Sequence, residues 1–275
     1  MVSAFAGLVR IEDWPRYESR VESNTRRILE LLDEHGVLAT FFILGWVAER
    51  QKSLVKDIHA AGHEVACHGY DHRLVYNMTP EEFREDVHRA KDIIEGITGS
   101  PVLGYRAPSY SIVKKSLWAL DALIKEGFLY DSSIFPLSLR HDMYGIPGAL
   151  RFPHRISRDG GEITEIPPTT YRLLGVNLPV AGGGYLRLYP ASLTSLAIKR
   201  INYGEKKPVI IYFHPWEIDP RQPRIKGGLK FFKSRFRHYV NLDTTLPKVK
   251  RFLGSMRFRP MAEIASQVHF PSHPA

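Results

Sequence analysis

Short apolar runs alternate with amphipathic helical segments along this chain, and that alternation constrains the fold more than any other feature of the sequence. The clearest helix start is Thr79, with Pro80 in the first turn and Glu82 at the capping-box position. Strand–helix alternation with short turns is typical of parallel sheets. The pattern therefore predicts an α/β fold, with strands at residues 39–44, 64–67, 102–105, 128–131 and 209–213.

Two stretches depart from this rhythm. Residues 135–162 are rich in Pro, Gly, Arg and His and are predicted to form a long loop, whereas residues 185–188 resemble a further strand. The chain contains no internal repeat and no segment typical of a linker. We therefore predict a single domain over residues 1–275, with a basic extension loop near residues 219–240.

Positive charge is concentrated in one segment. The chain has 38 Lys and Arg against 29 Asp and Glu, and residues 221–237 hold seven of these cations with no acid among them. This segment is either a solvated loop or a contact with an anionic surface, such as a polyanion or a phospholipid-linked glycan. Nucleic-acid binding is disfavoured, because no pattern of a nucleic-acid-binding module is present.

The sequence also bears on membranes and location. No apolar run approaches the roughly 18 residues that a membrane-spanning helix needs, so no transmembrane segment is predicted. The N-terminal residues do not have the pattern of a signal peptide. The single cysteine, Cys67, is compatible with a reducing compartment. We therefore predict a cytoplasmic protein.

Polar residues follow the predicted strands, at the edge where parallel strands place active sites. His68 and His72 follow one strand; they are either two ligands of one metal ion or unrelated surface histidines. Arg106 follows the next strand, where it would hold a carboxylate or simply form a turn. Asp131 closes another strand, and His214 follows five apolar residues as a buried polar group or a general acid or base.

Six segments resemble the polysaccharide deacetylases, carbohydrate esterase family 4. They are ATFFILG at residues 39–45, AGHEVACHGYDH, GYRAPSYSI, YDSSIF and YFHPWEIDP, in that order, and SRFRHYVNL, which is similar to the subgroup associated with exopolysaccharide and exosortase systems. The resemblance implies a distorted (β/α)₇ barrel. It also implies removal of N- or O-acetyl groups from an acetylated glycan with a divalent metal, usually zinc.

The resemblance also implies roles for individual residues. His68 and His72 match the histidine metal ligands, and His214 matches the general acid that protonates the leaving amine. Arg106 matches the residue that orients a catalytic carboxylate. Three further residues are expected along the substrate groove: Tyr110 in the segment that holds the oxyanion, Asp131 in the segment that supports the histidine acid, and Trp216.

One family motif is missing from the sequence. In the family, a first strand ends in aspartates that supply the general base and the third metal ligand. In the subgroup this motif lies just before the segment Val2-Ser3-Ala4-Phe5, which here follows Met1 directly. We therefore expect a chain truncated before its first strand and nearly inactive. The alternatives are a catalytically dead glycan-binding protein and a hydrolase of another non-peptide C–N bond, such as that of a cyclic ureide or imide.

Overall fold

Strands and helices alternate through the first half of the chain, as the apolar pattern predicts. The structure is a computed structural model that describes residues 5, 8–137, 144–225, 228, 231–267 and 272–274. Its first elements are α1 (Val21–Glu34), β1 (Thr40–Ile43), α2 (Gly45–Arg50), α3 (Lys52–Ala60), β2 (Glu64–Cys67), α4 (Pro80–Thr98), β3 (Gly104–Tyr105), α5 (Ala119–Lys125) and β4 (Tyr130–Asp131).

The strands form one large sheet and one small hairpin. In the large sheet the order is β1-β2-β3-β4-β6-β5-β9, and the first five of these strands run parallel. β5 is antiparallel to β6, and β7 and β8 pair only with each other within the described residues. The predicted α/β fold is confirmed. The later strands are β5 (His154–Arg158), β6 (Gly161–Glu165), β7 (Thr170–Leu173), β8 (Val176–Pro179) and β9 (Ser272–Pro274).

The chain divides into two compact units. The sheet unit comprises Leu38–Pro179 and Phe258–Ala275 and contains β1 to β9. The helical unit comprises Met1–Val37 and Val180–Arg257. The prediction of a single domain stays a prediction. The remaining helices are α6 (Gly183–Leu188), α7 (Ala191–Lys199), α8 (Phe232–Tyr239) and α9 (Thr245–Leu253) in the helical unit, and α10 (Met261–Gln267) in the sheet unit.

Helix α4 begins where the sequence predicts. The Thr79 side chain accepts a hydrogen bond from the Glu82 backbone N–H, and the Glu82 carboxylate accepts one from the Thr79 backbone N–H. The helix ends at Gly99, whose φ of 67° is the left-handed conformation that glycine adopts without strain. One face of the helix is buried in the core of the sheet unit, through Phe83, Val87, Ala90 and Ile94.

Gly104 allows two neighbouring strands to pack closely. A Cβ atom at this position would lie 2.0 Å from the ring of Tyr130 on β4, so no larger residue fits. The Tyr130 hydroxyl donates to Glu64 on β2 across a distance of 2.7 Å. The tyrosine thus ties β2 to β4 through the space that Gly104 leaves open, and this fixes the register of the strands that carry the site.

Two sequence expectations, one in each unit, are wrong. Residues 135–162 are not a long loop, because β5 and the turn into β6 lie within them; residues 138–143 are outside the described part of the chain. The turn is Asp159-Gly160, a pair that favours hairpins. Residues 185–188 are not a strand but the last part of α6. Alternation over only four residues does not distinguish a strand from a short helix.

The prediction of a strand at residues 209–213 is also wrong. This segment is half-buried, and within the described residues it forms one β-bridge, between Tyr212 and Gly182, rather than a ladder. The Tyr212 ring lies so close to Gly182 that a Cβ atom there would be 1.9 Å from it. The apolar run is therefore held by one ring against one glycine, and its backbone does not continue as a strand.

The basic segment differs from the predicted extension loop as well. It contains helix α8, because Phe232, Phe236 and Tyr239 recur at helical spacing in a segment first interpreted by its charge alone. Residues 226, 227, 229 and 230 lie outside the described part of the chain. None of the described helices is long and apolar enough to cross a membrane.

Candidate active site

Polar groups meet at the carboxyl edge of the parallel strands, where the sequence predicts them. The Nδ1 atom of His68, after β2, lies 2.6 Å from the carbonyl oxygen of Arg106, after β3. The Arg106 guanidinium donates to the backbone oxygen and the hydroxyl of Ser132, after β4, and the Ser132 hydroxyl donates to the carbonyl of Ile166, after β6. A continuous chain of hydrogen bonds thus crosses four strand ends.

The two histidines of the predicted metal site lie together. The ring centroids of His68 and His72 are 5.2 Å apart, and the rings are nearly perpendicular. Because a carbonyl oxygen only accepts hydrogen bonds, the His68 Nδ1 atom must carry the proton, so the ring lone pair lies on Nε2. A backbone carbonyl that fixes the tautomer of a histidine in this way is typical of metal ligands.

The turn between these histidines is held by a hydrogen bond to helix α4. Gly69 and His72 both have positive φ, at 74° and 65°. The half-buried carboxylate of Asp86, on α4, accepts the Tyr70 backbone N–H at 2.9 Å. Burial raises the pKa of Asp86 to about 6. The tight turn therefore depends on a carboxyl group that sequence reasoning did not identify.

The histidine pair fits two ligands of a divalent metal rather than a complete set. Within the described residues, no group of three or more His, Cys, Asp or Glu side chains could hold a metal ion. Asp71 accepts the Arg73 backbone N–H at 3.2 Å. A structural zinc site has four protein ligands and a catalytic site usually has three, so His68 and His72 account for part of either.

Arg106 is almost completely buried. Besides Ser132, its guanidinium contacts the Met261 sulfur and lies 4.2 Å from the centroid of the Phe42 ring. Its positive charge offsets part of the rise that burial causes in the pKa of Asp131 and of Glu165. A buried cation needs compensating negative charge nearby, and the ionised form of Asp131 supplies it.

Asp131 and Glu165 form a fully buried acid pair on neighbouring parallel strands. Burial raises the pKa of Asp131 to about 6 and, with the charge of Asp131, raises the pKa of Glu165 well above its ordinary value. Ser133 donates to Asp131, and the Ile134 backbone N–H donates to Glu165. The other two carboxyl oxygens can satisfy each other only if one carboxyl is protonated, so we assign the shared proton to Glu165.

The loop after β3 contains two strained residues. Ser109 and Tyr110 have φ values of 52° and 54°, which are unfavourable for residues with side chains. Strain of this kind clusters at functional sites. The Tyr110 backbone N–H donates to the Ala107 carbonyl at 3.1 Å, so in this conformation it is already engaged. The expected role of Tyr110 at an oxyanion stays a prediction.

His214 lies in the helical unit and has a carboxylate partner there. Its Nδ1 atom is 2.6 Å from Glu217, and its backbone N–H donates to the same oxygen. The other oxygen of Glu217 accepts from Arg187 at 2.8 Å. The His214 side chain is 47% exposed, whereas those of Glu217 and Arg187 are 0% and 3% exposed. A half-exposed imidazole is thus oriented by a buried ion pair.

The charge of this trio is balanced locally. Burial raises the pKa of Glu217, but the hydrogen bond from His214 and the charge of Arg187 outweigh it, so the pKa lies below its ordinary value. The Arg187 guanidinium also donates to the carbonyl oxygens of residues 237, 238 and 240. Arg187 therefore links the carboxylate behind His214 to the C-terminal end of α8.

Trp216 belongs to a stack of rings in the helical unit. It stacks on His214 at 5.5 Å and on His238 at 4.0 Å between ring centroids. His238 is buried and bonded to Gln222, and burial lowers its pKa to about 2, so it is neutral. The stack restrains the His214 ring. A direct contact of Trp216 with substrate, like that of Asp131, stays a prediction.

Besides Asp86, three residues that shape these clusters were missed from the sequence. Glu165 closes β6, just after the segment predicted to be a loop, and Arg187 lies in α6, at residues predicted to form a strand. Glu217 is three residues after His214, a spacing that brings side chains together in a helical turn, and this signal was available. The first two required the correct secondary structure before their positions had meaning.

Two family models and several curated proteins match parts of this chain. Residues 11–124 match a family model described as polysaccharide deacetylase, and residues 132–266 match one described as a domain of unknown function, DUF3473. A peptidoglycan deacetylase of Helicobacter pylori is 34% identical over 108 residues, which cover 39% of this chain and 36% of the relative. The chain spans about a third of the length of three curated relatives that it matches.

Solved structures share the fold. A putative polysaccharide deacetylase from Mycobacterium smegmatis has a TM-score of 0.59 at 23% identity, covering 97% of this chain and 83% of that one. The allantoinase Puue has a TM-score of 0.55 at 19% identity, covering 88% and 70%. At these identities the likeness concerns the fold alone, and it agrees with the α/β architecture expected for a (β/α)₇ barrel.

Proposed function

Because the match over residues 11–124 supports the polysaccharide deacetylase family, we propose that this chain is a metal-dependent hydrolase that removes acetyl groups from the N-acetyl sugars of a polysaccharide. The main support is the pair His68 and His72 at the end of β2, with the His68 tautomer set by the Arg106 carbonyl. Both histidines and Arg106 lie inside the matched segment. We further propose a role in exopolysaccharide biosynthesis, in line with the subgroup resemblance.

In this proposal His68 and His72 hold the metal, with zinc as the first candidate. A bound divalent metal would polarise the acetyl carbonyl and make a hydrolytic water more acidic. The hydrogen bond from His68 to the Arg106 carbonyl orients the ring toward such an ion. Arg106 itself is engaged with Ser132, so its contribution is to hold the strand ends in place.

His214 is the proposed general acid. Its Nδ1 atom must carry a proton to bond the Glu217 carboxylate, so the proton that moves to the leaving amine is the one on Nε2. The carboxylate orients the imidazole, and Arg187 keeps the carboxylate ionised and in place. General acid catalysis of this kind contributes about 10²–10⁴-fold.

Within the part of the chain that the structure describes, the two histidines are not joined by a third His, Cys, Asp or Glu ligand for a metal ion. We therefore expect weak zinc binding and low deacetylase activity from the 275 residues themselves. Loss of a general base alone lowers the rate about 10²–10⁴-fold. A catalytically dead glycan-binding protein is the second candidate function, and this incomplete ligand set is the observation that favours it.

The test combines calorimetric zinc titration with an acetate-release assay on N-acetylglucosamine oligomers, with zinc and with a chelator. His68→Ala should lower zinc affinity at least tenfold, whereas His88→Ala, an exposed histidine on α4, should leave it unchanged. Slow zinc-dependent acetate release that disappears in His68→Ala supports the deacetylase. Oligomer binding with no acetate release under any condition supports the dead glycan-binding protein.

Two controls separate further alternatives. Release of the ring-opened product from a cyclic ureide, without acetate release from the oligomers, would assign the chain to hydrolysis of another C–N bond.

Glu217→Gln tests His214 as the general acid, because it keeps the shape of the side chain but removes the negative charge that contacts His214. We expect a lower kcat with little change in KM, and a weaker or faster-exchanging His214 Nδ1 proton in NMR spectra.

A further inference from the structure

Helix α8 has one buried side. His238 is buried and stacked on Trp216, and its ring lies 5.2 Å from that of Phe5. Ser234, one turn earlier, is half-buried on the same side. The carbonyls at the C-terminal end of the helix accept from buried Arg187. The helix is therefore anchored on this side, and its opposite side is fixed in orientation.

The opposite side exposes two phenylalanines. Phe232 and Phe236 are 65% and 57% exposed, and their spacing of four residues places them on one face, one turn apart. Single exposed apolar residues are ordinary on protein surfaces. Two large aromatic side chains that face outward together from an anchored helix form a small apolar stripe, and this arrangement is unusual enough to need an explanation.

Positive side chains flank the stripe on both sides. At 100° per residue, Lys233 and Arg237 lie on one side of the two phenylalanines and Arg235 lies on the other, and all three are exposed. No acidic residue occurs between residues 221 and 237. An apolar stripe with cations on both sides is the pattern of a helix that lies in the interface of an anionic membrane.

We propose that the outer face of α8 docks on an anionic lipid membrane, with Phe232 and Phe236 entering the interface and Lys233, Arg235 and Arg237 contacting lipid phosphates. A soluble polyanion would use the cations but leave both phenylalanines in water, whereas a membrane accommodates both groups at once. This proposal does not depend on the deacetylase activity.

The test is co-sedimentation of the full chain with phosphatidylglycerol-containing vesicles and with neutral phosphatidylcholine vesicles. Wild type should bind the anionic vesicles and lose binding as salt rises. Phe232→Ser/Phe236→Ser should weaken binding at least tenfold. The control Leu174→Ser, which removes a 96% exposed leucine of the sheet unit, should bind like wild type. Lys233→Gln/Arg235→Gln should weaken binding and reduce its salt dependence.

Several outcomes would overturn the proposal. If the double phenylalanine variant binds anionic vesicles as tightly as wild type, the surface recognises charge alone and its partner is a polyanion. Binding to heparin but not to vesicles leads to the same conclusion. Equal binding to neutral vesicles would remove the role of the cations. Loss of self-association in the phenylalanine variant, with no vesicle binding by wild type, would assign the face to a second copy of this chain. Unchanged thermal melting of each variant shows that folding is intact.

Discussion

The strand-end network of the sheet unit and the His214–Glu217–Arg187 trio of the helical unit orient a histidine in different ways. Each places an imidazole beside a fixed hydrogen-bond partner. In the sheet unit the partner of His68 is a backbone carbonyl 38 residues away, delivered by the pairing of β2 with β3. In the helical unit the partner of His214 is a carboxylate three residues away, delivered by one turn of 3₁₀-helix.

The difference concerns what each site depends on. The orientation of His68 depends on strand register, which many contacts determine together. The orientation of His214 depends on a buried charge, Glu217, which is stable only while Arg187 neutralises it. The backbone acceptor of His68 carries no net charge, whereas the carboxylate acceptor of His214 is an anion. The first arrangement suits a metal ligand and the second suits an acid.

The largest predicted effect tests this dependence on charge. Arg187→Met leaves Glu217 buried without its cation and three carbonyl oxygens without their donor. We expect a loss of about 3–5 kcal/mol in the free energy of unfolding, measured by urea denaturation. Arg187→Met/Glu217→Gln should recover part of that loss, because the neutral amide needs no counter-ion.

The matched control is an ion pair at the surface of the sheet unit. Arg158 contacts Asp121 through two hydrogen bonds of 2.9 and 2.7 Å, and both side chains are partly exposed. Arg158→Met should cost no more than about 1 kcal/mol. Similar losses in the two methionine variants would contradict the dependence of the His214 site on a buried charge.

A smaller effect is expected in the strand-end network. Ser132→Ala removes the donor to the Ile166 carbonyl and one acceptor of Arg106, at a buried position. The loss should be about 1–3 kcal/mol, because unsatisfied buried groups remain while the strand register persists. The His68 tautomer, observed by NMR, should not change, since its carbonyl partner is held by backbone pairing. A changed tautomer would show that the register depends on this one hydroxyl.

The same comparison explains what could be predicted from sequence. Strand ends were found because apolar runs are local signals, and parallel pairing then brings His68, Arg106 and Asp131 to one edge without further information. The partners of a buried charge are not local signals. Arg187 could be connected to Glu217 only after α6 was known to be a helix, and a four-residue alternation could not establish that.

Asp131 shows that a strand end can be predicted from local signals while its partner on another strand cannot. Its position at the strand end was predicted, but its partner Glu165 lies on β6, beyond a hairpin that the composition of residues 135–162 concealed. From the sequence we predict no carboxylate partner for Arg106. The fold supplies the compensating charge from Asp131, while Glu165 carries the shared proton. Composition alone could not reveal this pair, because strand pairing creates it.

The last prediction concerns the pH dependence of this pair. The pKa of Asp131 is raised from 3.8 to about 6 in the folded protein, and that of Glu165 is raised further above its ordinary 4.5. Between these values the folded state binds more protons than the unfolded state. The free energy of unfolding should therefore fall as the pH rises from about 4 through 6 and beyond.

Glu165→Gln removes one of the two titrating groups and keeps a donor toward Asp131, so Asp131 can ionise beside a neutral amide. We expect a shallower decline, with the variant gaining stability relative to wild type as the pH rises from 5 to 8 in urea denaturation. Parallel curves for the two proteins would place the shared proton elsewhere. Glu162→Gln, on the exposed part of β6, is the control and should follow the wild-type curve.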